Sequence, residues 1–397
     1  MAPPLARAVH GIAPMLQRLE QIAGAALIFL ALLDVFLTVL YARLGTAVLS
    51  MRLSRLEWRI FRTIAWRLER GRGKLLSFCA PIIVVSLVGM WALLLAFGMA
   101  LLLHPALGTG IQATDGATPR DFMTALFAGG SSLSFISVSN LEPKTMPFKL
   151  LYLFSSLVGM SVLSLTITYL LQLYNGVRER NTFGLKLHLL SAETDDAVEV
   201  VAGMAARGRF DATYSAFAEI GAEAVKVKES HQFYPILVFF RFRQPFYGWT
   251  SAIIRCLDAV TLIKSALDDE EFGWVKESAA LTQIWRAAIL STKLLDEAQR
   301  HHGDAKHGEE ADEATRERWR RRYGAAVRRL RAAGVKTYAD EAVGAELYAS
   351  LRQEWDHRLR VLAPAMGYTM KEIDPAGHDP ETTDRLPAFE KRLTAVE

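Results

Sequence analysis

The side chains best suited to chemistry in a low-dielectric setting are uncharged hydroxyls and amides in the first half of the chain. Residues 131–140 read SSLSFISVSN, a short run rich in hydroxyls and free of charge. Farther on, Ser161, Ser164, Thr168, Gln172 and Asn175 are spaced by three, four, four and three residues. That spacing makes one polar stripe on an otherwise apolar helix. The stripe can line an aqueous cavity, or it can pack against other helices through small and hydroxyl residues. Gly159, just before the stripe, reads equally as a gating hinge and as a close-packing glycine.

No catalytic constellation accompanies these residues. The chain has no nucleophile elbow, phosphate loop or HExxH motif, so neither an enzyme nor a cofactor is expected. His301, His302 and His307 lie in HHGDAKHGEEADEAT, which lacks ligand spacing and reads as a solvated connector. RERWRRR at 316–322 reads as a charged helix face. His231, beside a proline-aromatic run, reads as structural. Cys79 and Cys256 lie in different halves and read as small buried hydrophobes without a disulfide.

The elements that must position the stripe are membrane helices. Apolar residues are 51% of the chain, gathered in long runs up to about Tyr174, whereas charges recur every few positions beyond it. Runs 22–41, 78–103 and 148–174 each supply the ~20 helical residues needed to cross ~30 Å of hydrocarbon. The first run is too long, and with Asp34 too polar, for a signal peptide. Asp34 is a functional candidate by position; in the plainer reading it faces the bundle and bonds a hydroxyl or an arginine.

Between the first two runs stand Arg43, Arg52, Arg55, Arg59, Arg62, Arg67, Arg70, Arg72 and Lys74. Only Arg120 and Lys144 stand between the second and third. The first connection is therefore expected on the cytoplasmic side, with the N-terminus outside and everything after the third run in the cytoplasm. The net charge of +4 is gathered beside these runs, which favours topology over nucleic-acid binding. Within 46–72, Leu49, Leu53, Leu56, Ile60 and Ile64 repeat at helical spacing, and Arg52, Arg55, Arg59 and Arg62 repeat on another face. An amphipathic helix with Trp58 and Trp66 suits a surface of anionic lipid. A voltage-sensor reading of the arginines lacks a set of acidic countercharges.

The connection at 105–147 is not a plain polar loop. Thr118 reads as a helix cap, Pro119 as the first helical position and Asp121 as a first-turn acid. The helix that follows should stop near Gly129-Gly130. The hydroxyl-rich run comes next, then Leu141-Glu142-Pro143. Short helix plus extended strand fits a re-entrant loop enclosed by other protein, and it also fits an exposed loop carrying a surface helix.

At this point the residues resemble a known family. Potassium-channel pore modules typically read ALYFSGVTLTTVGYGDLVP, and residues 125–143 here read ALFAGGSSLSFISVSNLEP, in register and without a gap. Ala125, Leu126, Gly130, Leu133, Leu141 and Pro143 match directly. The region from Phe78 to Val177 resembles the two-helix pore of bacterial potassium-channel family proteins. DVFLTVLY at 34–41 and ESHQFYPILVFFRFRQP at 229–245 look like segments of bacterial relatives. The resemblance implies a homotetramer, a monovalent cation as the permeant ion, and a filter at Ser134, Phe135, Ile136, Ser137, Val138, Ser139 and Asn140. The filter departs from the family's pattern: both glycines are serine, here Ser137 and Ser139, Val138 replaces a tyrosine and Asn140 an acid. Family filters use backbone carbonyls in conformations that serine adopts at a cost of roughly 1–2 kcal/mol each. Weakly selective conduction, conduction in another conformation, and a closed relic used for sensing or assembly all fit.

Beyond about Leu185 the pattern is helical, with helices expected near 249–268, 271–300, 314–334 and 339–362. No GxGxxG follows the third run. The sequence predicts an all-α membrane protein of the plasma or inner membrane. Its parts are a first span (1–45), a basic interfacial helix (46–76), a pore module with re-entrant helix and filter loop (77–178), a cytoplasmic helical domain (179–370) and a loose tail (371–397). Expected partners are membrane lipids, further copies of the chain and an unknown partner of the cytoplasmic domain, without nucleic acid. The alternative class is a non-conducting scaffold or sensor on a channel fold.

Overall fold

A computed structural model describes residues 4–41, 47–68, 71–134, 140–205, 208–210, 214–299 and 311–384. The chain begins with α1 (Pro4–Val35), which passes into a π-helical turn at Phe36–Leu40, and α2 (Leu49–Trp66) follows. Next come α3 (Arg72–Leu103), β1 (Ile111–Ala113), α4 (Phe122–Leu133), β2 (Leu141–Pro143) and α5 (Met146–Leu190). Two compact units are formed, one from Met1–Leu56 and Pro81–Gln172, the other from Glu57–Ala80 and Leu173–Glu397. These boundaries differ from those read off the sequence, because the second half of α2 and the first turns of α3 group with the C-terminal unit.

Three helical stretches, Met15–Leu40, Arg72–Ala106 and Met146–Leu190, are long and apolar enough to cross a membrane. In the first unit α1 crosses α3 where Gly24 faces Gly98; a Cβ on Gly24 would stand 2.6 Å from the Gly98 carbonyl oxygen. Close approach of this kind is how helices associate where no hydrophobic force separates them from lipid. His104 Nδ1 meets Glu20 Oε1 at 2.6 Å near the same crossing.

The C-terminal unit is built from helices, with an isolated antiparallel bridge between Leu267 and Thr337 among its described residues. It comprises α6 (Ala197–Met204), α7 (Tyr214–Phe233), α8 (Trp249–Ala266), α9 (Asp269–Lys276), α10 (Ala279–Gln299), α11 (Glu313–Ala332), α12 (Glu341–Gln353), α13 (Asp356–Ala365), and the short α14 (Met370–Ile373), α15 (Pro375–His378) and α16 (Glu381–Asp384). Aspartates cap many of these helices: Asp196, Asp268, Asp312, Asp340 and Asp374 each accept a backbone N–H of the following turn. The central helix is α8, on which only Lys264 escapes burial. It carries polar side chains inside, and its Thr261 and Ser265 hydroxyls donate to carbonyls one turn back, at 2.7 Å each.

Several expectations are corrected. Asp121 caps α4, accepting the Thr124 N–H at 2.9 Å, while the Thr118 hydroxyl accepts the Ala113 N–H at 3.0 Å instead. The helix runs through Gly129 and Gly130 to Leu133. The helical pattern beyond Leu185 is interrupted by a turn in which Ala192, Glu193 and Asp195 adopt positive φ, ending α5. Pro235 begins a buried 3₁₀ turn, Pro235–Phe239, since its ring fixes φ and removes a donor. The expected helix at 271–300 is two, α9 and α10. The tail is packed through Asp384, with Ile373, Ala376 and Thr383 buried. Trp58 is no interfacial anchor: it is buried, donates Nε1–H to the Ala365 carbonyl at 3.0 Å and packs on Phe239 at 5.8 Å. Trp66 is exposed, with the Arg72 guanidinium 4.5 Å over its ring. Cys79 and Cys256 are both buried and unpaired.

The tail is held by charge. Asp258 of α8 accepts Arg322 Nη2 at 3.0 Å, Arg352 Nη1 at 3.0 Å and the Tyr348 hydroxyl at 2.5 Å. Arg322 also binds Asp196 and the Thr383 hydroxyl, and Arg352 also binds Asp356 and Asp374. All of these side chains are nearly inaccessible. Burial alone would raise the Asp258 carboxyl, but Arg322 and Arg352 outweigh it and hold it low; at Asp374 burial wins and the carboxyl is raised. Removing one partner strands buried charge. Arg352→Met should therefore lower unfolding stability by about 3–5 kcal/mol. Arg320→Gln, which breaks exposed pairs to Glu313 and Glu346, should leave stability almost unchanged, since solvent screens such pairs. Denaturant melts of the full chain in detergent would check both.

His231 gives a second prediction. Burial pushes its imidazole down to about 3, with Arg180 adding to the effect. Nδ1–H donates to the Val227 carbonyl at 2.9 Å and the ring stacks on Trp249 at 5.5 Å. The folded state keeps His231 neutral while the unfolded state takes up a proton below about 6.5. Its contribution to stability is whole above that pH and is lost as pH falls toward 3. A His231→Gln variant should show a shallower decline between pH 6.5 and 4 than the parent chain, in melts across that range.

Candidate functional site

The described part of the site consists of α4, the flanking residues Ser134 and Asn140, and α5. Phe135, Ile136, Ser137, Val138 and Ser139 lie outside the described residues. What is described is how the segment's two ends are held. At the start, Ser134 N–H reaches the Gly130 and Ser131 carbonyls, both at 3.2 Å, and its hydroxyl donates to Ser131 at 3.0 Å. At the far end Asn140 leads into β2, which pairs antiparallel with β1 in the register Ile111 to Pro143 and Ala113 to Leu141. The Asn140 carbonyl accepts the backbone N–H and the hydroxyl of Thr114, each at 2.8 Å.

The intervening helix is 12 residues long, about 18 Å at 1.5 Å per residue and too short to span. It carries no charge and sits against both neighbouring spans. A Cβ on Gly129 would lie 2.9 Å from the Ala100 backbone nitrogen of α3, and one on Gly159 of α5 would lie 2.0 Å from the Leu133 carbonyl oxygen. Gly129, read from sequence as a helix stop, is thus a contact with α3, and Gly159 is where α5 touches the end of α4. The Ser155 hydroxyl of α5 adds a bond to the Ser132 carbonyl at 3.2 Å. The C-terminal end of α4 carries the partial negative charge of a helix terminus.

On α5, Ser161, Ser164, Thr168 and Gln172 are exposed and Asn175 is half-buried. Buried Ser155, Thr166 and Tyr169 lie on the opposite face by helical spacing, so the stripe points away from the packed side. Toward the helix start, exposed Met146, Leu150 and Leu157 share the stripe's face. Ser161 donates to the Leu157 carbonyl at 2.8 Å and Thr168 to Ser164 at 3.0 Å, so both hydroxyls keep oxygen lone pairs outward. Of the three long helices α5 is the least covered, 11% buried along its most apolar stretch against 39% for the second. Its open face requires lipid or other protein.

The basic helix has a division that its sequence did not reveal. Ser50, Met51, Ser54, Trp58 and Ala65 form a packed face, while the aliphatic edge (Leu56, Ile60, Ile64) and the basic edge (Arg52, Arg59) are both exposed. Arg55 is half-buried, and Arg62 reaches the Ala365 carbonyl at 3.5 Å. The start of α2 is held by Asp34. This buried carboxylate accepts the Leu49 N–H at 2.8 Å, the Ser50 N–H at 3.3 Å, the Ser50 hydroxyl, and Trp91 Nε1–H at 2.9 Å. Thr38, in the π-helical turn, donates to the Ser50 hydroxyl at 3.1 Å. Asp34 thereby satisfies donors that a helix start leaves open. Sequence reasoning foresaw a hydroxyl partner but missed Trp91, whose indole N–H in an apolar span was the available signal.

The fold and the site are those of a helical membrane protein, and the comparison with known proteins agrees. The chain is 20% identical over 249 residues, 63% of its length, to YdjJ, an uncharacterized membrane protein of Bacillus subtilis (strain 168), of which the match covers 71%. No family profile matches the chain, and no solved structure does.

The Gly159 contact is open to direct test. Gly159→Leu drives a side chain into the Leu133 carbonyl and should cost at least about 1–3 kcal/mol. Gly89, on α3, has open space where a Cβ would go, so Gly89→Leu should leave stability almost unchanged. Melting midpoints in detergent, read by loss of the monodisperse chromatographic peak, should separate the two.

Proposed function

We propose that this chain is a subunit of a pore-forming assembly that passes monovalent cations across the cell membrane, on the plan its sequence shares with potassium channels. The observation that carries the reading is the seating of α4. An uncharged helix too short to span is held by backbone contact against α3 and α5, and its negative end leads into a hydroxyl-rich segment. Backbone of that kind is tolerated at membrane depth where protein surrounds it or water lines it.

A tetramer, as the resemblance implies, would bring the α5 stripes of Ser161, Ser164, Thr168, Gln172 and Asn175 around a common axis. It would also cover the face of α5 that one chain leaves open. With serine at positions 137 and 139, the segment would coordinate cations through hydroxyls as well as carbonyls and discriminate weakly among them. The arginine excess before the second span puts the C-terminal unit in the cytoplasm. The exposed edges of α2 would then rest on the inner leaflet, Arg52 and Arg59 toward anionic headgroups.

Purified protein reconstituted in vesicles and planar bilayers tests the proposal. Crosslinking should give four subunits, and currents should flow in potassium and in sodium with little preference between them. Replacing Ser137 and Ser139 together by glycine should raise the potassium preference. Fewer than three subunits would refute the pore, since one loop per chain cannot enclose an axis alone. A tetramer silent under every voltage, pH and lipid composition applied would leave the non-conducting scaffold or sensor as the reading.

A further inference from the structure

The C-terminal unit takes in the last turns of α5, the first turns of α3 and the second half of α2. One short segment touches all three. The 3₁₀ turn Pro235–Phe239 opens into extended backbone at Phe240, where successive side chains point to opposite sides. Toward α5, a Cβ on Gly176 would stand 3.0 Å from Leu237 Cδ1, Phe240 meets Tyr174 edge-on at 6.1 Å, and the Arg180 guanidinium lies 5.4 Å over the Phe242 ring. Toward the other two helices, Phe239 packs on Trp58 of α2, and Arg241 reaches α3, where a Cβ on Gly73 would stand 2.8 Å from its Nη1. Leu237, Phe239, Phe240 and Arg241 are all buried.

The two sides differ in how charge is met. Arg241 donates Nε–H to the Gly367 carbonyl at 3.0 Å and lies 4.5 Å over the Tyr368 ring, with Glu372 Oε1 3.7 Å from its Nη2. Glu372 also pairs with Arg72 of α3 at 2.7 Å. The α5 side lacks such a counter-charge. Arg180 is 2% exposed, yet among the described residues it pairs with no carboxylate. Its Nη1 donates to the Leu237 carbonyl at 3.1 Å, its Nη2 reaches Asn181 Oδ1 at 3.4 Å, and its Nε has no partner. A guanidinium shut from water without a counter-charge is costly, whereas one that shares a carboxylate is held. Water reaching Arg180 recovers that cost; water reaching Arg241 has a carboxylate to replace.

We propose that residues 237–242 form a one-sided clasp, fixed to α2 and α3 through Phe239 and Arg241 and released from α5 at Arg180. The end of α5 then has two seatings, one with Arg180 buried against Leu237 and Phe242 and one with Arg180 in water. The consequence for conduction, and that alone, rests on the pore reading: release frees the end of the helix that carries the polar stripe, and so sets how often the pore conducts.

Spin labels on cysteines introduced at exposed Lys74, Arg178 and Arg243 read both sides of the clasp, since the native cysteines are buried. The sample is the full chain in lipid nanodiscs, labelled chains being diluted with unlabelled ones. The Lys74–Arg243 pair should give one distance population and the Arg178–Arg243 pair two. Arg180→Met removes the buried charge and keeps an apolar cover on Phe242, so it should shrink the longer-distance population about fivefold or more. A single Arg178–Arg243 population overturns the clasp, whether or not current flows. Two populations left unchanged by Arg180→Met overturn it as well. If Arg180→Met does not fold, the two label pairs in the chain with Arg180 intact carry the test. Two populations in a chain that passes no current would refute the pore and support the clasp.

Discussion

Glycine-mediated contact between backbones holds the membrane unit together. Lipid tails are as apolar as leucine, so helices in a bilayer gain little by hiding apolar side chains from one another and must associate through close fit. Here α1 meets α3 at Gly24 and Gly98, α4 meets α3 at Gly129, and α5 meets the end of α4 at Gly159. The last of these fixes where α4 ends, and therefore where residues 134–140 begin. The two-stranded ladder of β1 and β2 fixes where they stop. The two described ends of the hydroxyl-rich segment, Ser134 and Asn140, are each bonded to a packed element.

The C-terminal unit is organised by different physics. Its central helix is buried on nearly every side, yet it carries Arg255 and Asp258 inside. Two inaccessible guanidiniums, those of Arg322 and Arg352, gather carboxylates from α6, α8, α13 and the link between α14 and α15. Apolar contact would hold these helices in many registers; paired charges in low dielectric hold them in one, because each misplacement leaves a charge unpaired. The same arrangement draws the last described helices onto the body of the unit. The segment Asp374–Asp384 is therefore packed despite its prolines.

Much of the membrane architecture was legible in the sequence because it follows from periodicity and length. The three long apolar helices and the amphipathic helix at 46–72 correspond to α1, α3, α5 and α2, and the polar stripe of α5 lies on one face as its spacing required. The position of α4 was readable to within a few residues, but its cap was misplaced. Thr118 and Asp121 are both good capping residues, and only the fold decides that Thr118 serves β1 instead. The glycine contacts were illegible for a similar reason: a glycine in an apolar run reads alike as hinge, break or contact until the facing atom is known. The buried ion pairs were hidden by convention, since RERWRRR looks like a solvated face while Arg322 in it is fully buried. Trp58 misled in the same manner, its place beside arginines suggesting headgroups when its partner is the Ala365 carbonyl.

The paired charges of the C-terminal unit have a consequence for how this chain can diverge. A lipid-facing leucine may drift to isoleucine, valine or phenylalanine with little penalty, so spans lose sequence identity quickly while keeping their form. Arg322, Arg352, Asp196, Asp258, Asp356 and Asp374 cannot drift singly, because Arg322 holds Asp196 and Asp258, Arg352 holds Asp258, Asp356 and Asp374, and Asp258 joins the two sets. They are constrained to change together or not at all. Covariation among these positions, rather than resemblance of the spans, would then be the lasting signature by which distant relatives of this protein can be traced.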